Sequence, residues 1–355
     1  MHTVLQDETS NSRRGAAAAV RVAVAGATGY TGQELLRLLA RHPRVVITAA
    51  MSSGASAAAR RLPALAHLWD GAITPLDTNA LAKQADVVFL ALPDSAAAEL
   101  APPLVDAGIR VIDLSGAFRL RDAAVRSRWY PETQGLPAGL AYGLTELERT
   151  QIASARMVAN PGCYPTSALL ALAPLLAADA IAPGTDIIID AKSGVSGAGK
   201  TPSERTHFSE VHASMAAYGV FGHRHGAEIE QGVAAAARPG ATGHALNFVP
   251  HLMPLDRGIL STIYVRLASG STEDSLASIY ERAYKDAPFV RLTGASLPEI
   301  KHVAHTNFCD IGWRVDQSSR AVIVSVIDNL LKGASGQAVQ NMNVMLGLDE
   351  DLGLL

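Results

Sequence analysis

Apolar positions in the first half of the chain fall in short continuous runs. Arg21–Ala25 (RVAVA) ends at Gly26, Val45–Ala50 ends in a Ser/Gly cluster, Asp86–Leu92 (DVVFLAL) is halted by Pro93, and Ile109–Leu114 follows. Short unbroken runs bounded by turn residues read as strands buried on both faces. Between them, Tyr30–Ala40 sets Leu35, Leu36, Leu38 and Leu39 at helical spacing, and Ser95–Val105 is helix-like. Strands alternating with helices predict a parallel, doubly wound sheet.

Past Asn160 the texture changes. Thr166–Ala178 predicts one long helix. Strands are then expected at Thr185–Ala191, Ala245–Pro250, Ile259–Ala268 and Ala321–Ile327, with Thr272–Tyr284 as the one clear helix among them. Runs of strands with few helices predict an α+β unit with a largely antiparallel sheet. A last helix, about Gln337 to Leu346, has an apolar stripe (Ala338, Val339, Met342, Met345, Leu346) suited to packing back on the first unit.

The 355 residues are 48% hydrophobic, enough for two units each with its own core. A net charge of −3 gives no reason to expect nucleic acid or a membrane surface as partner. The longest apolar run, Ala168–Ala178, contains Pro174 and is too short to span a bilayer. The polar, then Ala-rich stretch from Met1 to about Ala19 reads as a loose tail. Arg13-Arg14 there is read as preceding the first strand, not as opening an export signal. Cys163 and Cys309 form neither a disulfide framework nor a zinc-ligand pair, so a cytoplasmic, reducing setting is expected. No metal site is expected, since His223 and His225 alternate and would need further ligands.

Gly26-Ala27-Thr28-Gly29-Tyr30-Thr31-Gly32 lies between a strand and a helix with G-x-x-G-x-x-G spacing, a variant of the dinucleotide fingerprint. Its glycines permit a tight turn and let backbone N–H groups approach a pyrophosphate at the helix N-terminus. An NAD site usually places an acidic residue after the second strand. Here Met51-Ser52-Ser53-Gly54-Ala55-Ser56 carries none, which favours NADP, with Arg60 or Arg61 as candidates to reach a 2′-phosphate. Ser193-Gly194 through Gly199-Lys200-Thr201 has the spacing of a nucleoside-triphosphate loop, but Pro202 follows and no helical stripe begins there. A loop closing over the dinucleotide is expected instead.

Asn160-Pro161-Gly162-Cys163-Tyr164-Pro165-Thr166 runs from a strand, Met157–Ala159, into the long helix. Cys163 is thus expected at a helix N-terminus, where the dipole and free N–H groups favour a thiolate and can steady an oxyanion. A thiolate attacks acyl carbonyls to give a thioester that hydride can reduce. Cys309 lies in an apolar strand-like run and reads as core. The His223-Arg224-His225 segment enters a second helix and offers an acid/base histidine and an anion-binding arginine. His207, His212, His251, His302 and His305 are assigned no role.

With those residues in view, the chain resembles the N-acetyl-gamma-glutamyl-phosphate reductase family of the aspartate-semialdehyde-dehydrogenase-like superfamily. The matching stretches are Gly26–Gly32 (GATGYTG), Asp113–Leu120 (DLSGAFRL), Asn160–Thr166 (NPGCYPT), Ser193–Lys200 (SGVSGAGK), Tyr218–Ile229 (YGVFGHRHGAEI), Phe248–Thr262 (FVPHLMPLDRGILST) and Asp328–Val339 (DNLLKGASGQAV). They cover the chain from about Val22 onward.

The resemblance implies NADPH-dependent reduction of an acyl phosphate to a semialdehyde in arginine biosynthesis, by a homodimer or homotetramer. Cys163 would be the nucleophile and His223 the acid/base. Gly26, Thr28, Gly29, Tyr30 and Thr31 would hold the pyrophosphate, Ser53 the 2′-phosphate, and Asn329 the nicotinamide end, with Ser193 and Gly194 bordering the cofactor. Arg119, Asn160, Lys200, Arg224 and His225 would contact the substrate. The fold implied is α/β. A Rossmann-type dinucleotide-binding domain (20–162 with about 330–355) follows the tail 1–19. The second domain (163–329) is an α+β substrate and dimerisation domain. Aspartyl or acetyl-aminoadipyl phosphate as substrate, or a non-catalytic NADP-binding sensor, are the alternatives.

Overall fold

The computed structural model describes residues 19–52, 60–240 and 243–355. Seven strands form the first sheet: β1 (Val20–Ala25), β2 (Val45–Ser52), β3 (Ile73–Pro75), β4 (Val87–Leu90), β5 (Arg110–Asp113), β6 (Leu140–Tyr142) and β7 (Met157–Ala159). Their order is β3-β2-β1-β4-β5-β7-β6, all parallel. The chain leaves β1 toward β2 and β3, then crosses back to β4 on the other side. The crevice at the C-terminal ends of β1 and β4 is therefore a topological switch point, where such sheets bind ligands. The predicted buried runs are these strands. Apolar residues line both faces, with Val22, Val24 and Phe89 in one core and Ala23, Val88 and Leu90 in the other.

The second sheet has β8 (Ile187–Gly194), β9 (Ala216–Ala217), β10 (Leu246–Met253), β11 (Ile259–Arg266), β12 (Val290–Gly294), β13 (Cys309–Val315) and β14 (Arg320–Ile327), in the order β12-β13-β14-β11-β8-β10-β9. It is mixed. The β10–β8 and β12–β13 pairings are parallel and the remainder antiparallel, in keeping with a largely antiparallel sheet. Cys309 is buried in β13, its Sγ 3.5 Å from Ser325 Oγ, and packs as core.

The long central helix runs Cys163–Ala177, starting three residues earlier than its spacing suggested. Pro165 sits in the first turn, where its missing N–H has no helical partner to lose. Tyr164 to Leu176 are all buried, as expected of a helix apolar on every side. Pro174 deprives the Leu170 carbonyl of its helical donor, and the Tyr284 hydroxyl takes that place. The final helix, Gly336–Met345, packs Ala338, Val339, Met342 and Met345 against Val22, Leu35 and Val158 of the first sheet's core. It is preceded by a wide turn, Leu331–Ser335, with five-residue closures from Gly333 N–H to Asp328 O and from Ser335 N–H to Leu330 O, both 2.9 Å.

Several short elements carried no periodic signal: β3, β6, β9 and the helices Thr78–Gln84, Ala123–Trp129 and Thr145–Ser154. The helix Arg224–Ala236 was legible only as the destination of a loop.

Candidate active site

Where the two sheets meet, a cleft of about 490 Å³ opens over the switch point. Gly29, Tyr30, Thr31 and Gly32 line it after β1, Ala91–Asp94 after β4, and Leu114–Gly116 after β5. Cys163, Arg119, Arg224, His225, Ser196, Gly197, Lys200, Asn329 and Gly333 line the rest.

The Gly-rich turn divides its work. Gly26 has φ +91°, and a side chain there would strike the Ala91 carbonyl at 2.0 Å. A side chain at Gly32 would meet the Gly26 carbonyl at 2.2 Å. Both positions are closed to any side chain by close backbone packing. Gly29 caps the helix Tyr30–Leu39 with no side-chain bond of its own, leaving the first-turn N–H groups facing the cleft. No acidic residue lies in that turn, so nothing there repels an anion. These features fit a dinucleotide pyrophosphate. Thr28 does not line the cleft. Its Oγ1 lies 3.1 Å from Ser52 Oγ and ties the turn to β2. Ser53 lies outside the described residues, and Arg60 pairs through its backbone with Ile73.

Cys163 is the first residue of its helix, as expected, and is half-buried in the cleft wall. Its thiol is not activated at rest. Burial pushes it up to about 11, against the pull of the Arg119 charge and the Tyr164 and Cys163 amides, while the Glu228 carboxylate pushes it further up. The helix terminus acts as expected, but loss of water outweighs it. Deprotonation thus calls for a base. Gly333 lets the wide turn lie against the nucleophile, since a Cβ there would sit 2.8 Å from Cys163 Cβ.

The two histidines lie in different places. His225 faces the cleft, and a Cβ built on Gly162, the residue before the nucleophile, would stand 2.5 Å from His225 Nε2. His223 instead lines a separate hollow with Gly219, Phe221 and Phe248, and its Nδ1 accepts the His225 amide N–H at 3.1 Å. On the helix Arg224–Ala236, His223 is the cap and His225 the second residue, so their rings leave the axis in different directions. Both imidazoles are held neutral. Burial lowers His223 to about 4, helped by Arg224. Burial, His223, Arg119 and Arg224 together lower His225 well below the usual histidine range.

Arg119 reaches the cleft but is heavily bonded. Its Nε donates to Asn160 O and its second terminal nitrogen to Leu114 O, both at 2.8 Å, and its first lies 3.4 Å from both His225 Nε2 and Glu228 Oε2. Burial is the largest influence and opposes its charge, yet Glu228, Tyr130, Tyr142 and Asp113 together outweigh it and keep the guanidinium protonated. Asn160, expected at the substrate, is fully buried. Its Nδ2 donates to Ala334 O and its Oδ1 accepts from Asn341, which leaves its side chain a brace between the Cys163 turn and the last helix.

Arg224 lines the cleft in an ion pair with Asp94, 2.7 Å apart. Lys200 leans toward the cofactor turn, 3.4 Å from Thr28 O, and not toward Arg119. Ser193 and Gly194 lie beneath the loop they begin. Ser193 bonds its neighbour's carbonyl, and a side chain on Gly194 would hit Asp256 O at 2.6 Å. The cleft wall comes from Ser196, Gly197, Gly199 and Lys200 instead. Asn329 is buried at the cleft, accepting from Gly258 N–H at 2.8 Å and donating to Ser196 Oγ at 3.0 Å.

Three residues escaped the sequence reading. Glu228, one turn after His225 on the same helix face, bonds Gly162, Tyr142 and Arg119. Asp94, just after β4, accepts the Gly116 amide at 2.6 Å. Asp113, at the end of β5, holds Ser115 through both oxygens. The i, i+3 spacing of His225 and Glu228 was a usable signal. The two aspartates at strand ends gave only the general hint that such positions face a crevice.

Fold and cleft together fit a dinucleotide-binding α/β protein with a cysteine at the start of the helix that follows a sheet strand, the semialdehyde dehydrogenase class. Residues 21–155 match the family model "Semialdehyde dehydrogenase, NAD binding domain", and residues 163–329 match "Semialdehyde dehydrogenase, dimerisation domain". Solved structures agree in fold. Aspartate semialdehyde dehydrogenase II from Vibrio cholerae has a TM-score of 0.70 at 17% identity, covering 93% of this chain and 99% of that one. The Candida albicans enzyme with NADP has 0.65 at 15%, covering 93% and 99%. Among relatives, N-acetyl-gamma-glutamyl-phosphate reductase of Syntrophobacter fumaroxidans is 48% identical over 345 residues, 94% of this chain and 98% of that protein. That of Geobacter metallireducens is 47% identical over 343 residues, with the same coverage. The chain belongs to the N-acetyl-gamma-glutamyl-phosphate reductase family.

Proposed function

We propose that this protein reduces N-acetyl-gamma-glutamyl phosphate to N-acetylglutamate semialdehyde and phosphate, with NADPH as reductant, in arginine biosynthesis. The observation that carries the reading is the meeting of Cys163, His225 and the Gly29–Gly32 turn in one cleft.

The first-turn amides after Gly29, with Tyr30, Thr31 and Lys200, would hold the dinucleotide, and Asn329 would stand at its nicotinamide end. The absence of an acidic residue after β2 supports NADP over NAD. The chemistry supplied by the bound nicotinamide is hydride donation to the acyl carbon on Cys163. His225, neutral at rest, takes the Cys163 proton. The thiolate attacks the γ-carbonyl, a C–S bond forms, and the C–O bond to phosphate breaks. After reduction, the oxyanion left on the Cys163-bound carbon takes the proton that His225 carries, and hands it back as the C–S bond breaks and the aldehyde leaves; the proton then returns from His225 to the Cys163 sulfur. Arg119 keeps a positive charge beside the sulfur throughout, and Arg224 binds an anionic group of the substrate.

The nucleotide-binding unit in this reading is 20–162 with about 330–355, and 163–329 is the catalytic and dimerisation unit. The second sheet leaves Ile188 and Tyr264 exposed on one face. That face supports a homodimer or homotetramer. A protein dependent on a free thiol suits the cytoplasm.

The test is the reverse reaction. Purified protein with N-acetylglutamate semialdehyde, phosphate and NADP should give phosphate-dependent NADPH absorbance. The signal should vanish in Cys163→Ser and be absent with aspartate semialdehyde. NADP binding without turnover on any semialdehyde would replace this reading with a sensor.

A further inference from the structure

Resting on the reductase reading, we propose that Asp94 is a built-in competitor for the oxyanion that Arg224 binds, and so sets the affinity of one anionic end of the substrate. Among the described residues, Asp94 is the hydrogen-bonding partner of the Arg224 guanidinium, which is half exposed at the cleft. Arg119, by contrast, is committed to Asn160 O, Leu114 O and Glu228. Unlike Arg119, Arg224 therefore has donors to spare for an arriving carboxylate or phosphate.

Asp94 is not a loose surface carboxylate. Its Oδ1 is pinned by the Gly116 amide at 2.6 Å, which holds Oδ2 against Arg224 from the first sheet's side of the cleft. An incoming oxyanion meets two costs. It must share or take the guanidinium, and it must lie near a like charge. One oxyanion is exchanged for another, so affinity is lower than Arg224 alone would give. Because Asp94 opens the helix that follows β4 of the first sheet and Arg224 stands beside His225, the pair also bridges the two sides of the cleft.

Asp94→Asn separates these effects. The amide oxygen still accepts from Gly116, while the charge that competes for Arg224 is gone. Calorimetry on the full chain with NADP would titrate inorganic phosphate and, separately, N-acetylglutamate, into the unaltered protein, Asp94→Asn, Arg224→Gln and the double variant. Asp94→Asn should tighten one of the two anions about two- to fivefold, the range of an exposed ion pair. Phosphate tightening would identify the phosphoryl group as the exchanging anion, and N-acetylglutamate tightening a carboxylate. In the Arg224→Gln background the gain should disappear. No tightening of either anion, or a gain that persists without Arg224, overturns the proposal. Turnover of the unaltered protein is read in parallel. Its absence would sink the reductase reading while leaving the anion competition measurable.

Discussion

Glu228 Oε1 accepts the Gly162 amide N–H at 2.9 Å, so the helix that carries His225 also holds the residue before the nucleophile. The same carboxylate takes the Tyr142 hydroxyl at 2.7 Å and faces Arg119 at 3.4 Å. Cys163 and His225 come from elements far apart in sequence, so bringing them together costs loop-closure entropy that a contact between the two elements must help to offset. Glu228 supplies that contact, and it sets the charge around the sulfur as well.

Replacing Glu228 by glutamine should make Cys163 more reactive. The carboxylate pushes the thiol up, so losing its charge brings the thiol down and enlarges the thiolate fraction at a given pH, while the amide oxygen still accepts from Gly162. Iodoacetamide should alkylate Cys163 severalfold faster at pH 8. An unchanged rate would remove Glu228 from the electrostatics of the nucleophile. Glu228→Ala is expected to cost about 3–5 kcal/mol in denaturant unfolding, because it strands the buried Arg119 charge.

The two histidines should separate cleanly. His225→Asn is expected to lower turnover by about 10²- to 10⁴-fold, the usual worth of a positioned acid/base. His223→Asn should keep most of it, since asparagine can still cap the helix by accepting the His225 amide. Steady-state kinetics in the semialdehyde direction decide this. The opposite ranking would restore the role that the family resemblance implied for His223.

Asp113 should mark the pH dependence of stability. Burial raises its carboxyl from 3.8 to about 6, against the Ser115 bonds and the Arg119 charge. A raised folded value favours the protonated form. The contribution is therefore fully present below pH 3.8 and is lost as pH rises through about 6. The loss is about 3 kcal/mol at most. Asp113→Asn cannot titrate, so its unfolding free energy relative to the unaltered protein should climb between pH 4 and 6 and then level. A flat difference across that window would contradict the burial of an ionisable Asp113.

Much of the fold could be read from local pattern. Buried parallel strands announce themselves as unbroken apolar runs, and the Gly26–Gly32 turn and the Cys163 helix start each rest on a few consecutive residues. The short elements were not legible. Strands such as Leu140–Tyr142 are too brief to show a period and form because β7 offers an edge to pair with.

The sequence by itself determined the helix start at Cys163, the Gly26–Gly32 turn and the α/β plan of two sheets, because each depends on neighbouring residues and backbone geometry. Only the tertiary structure decided that His225 and not His223 lines the cleft with Cys163. It alone showed that the Asn160 side chain is taken up by Ala334 and Asn341, and that Glu228 and Asp94 face Arg119 and Arg224. Those outcomes depend on the direction in which a helix is docked and on how much water is excluded around each group. Both are set by packing between distant segments, which no local pattern encodes.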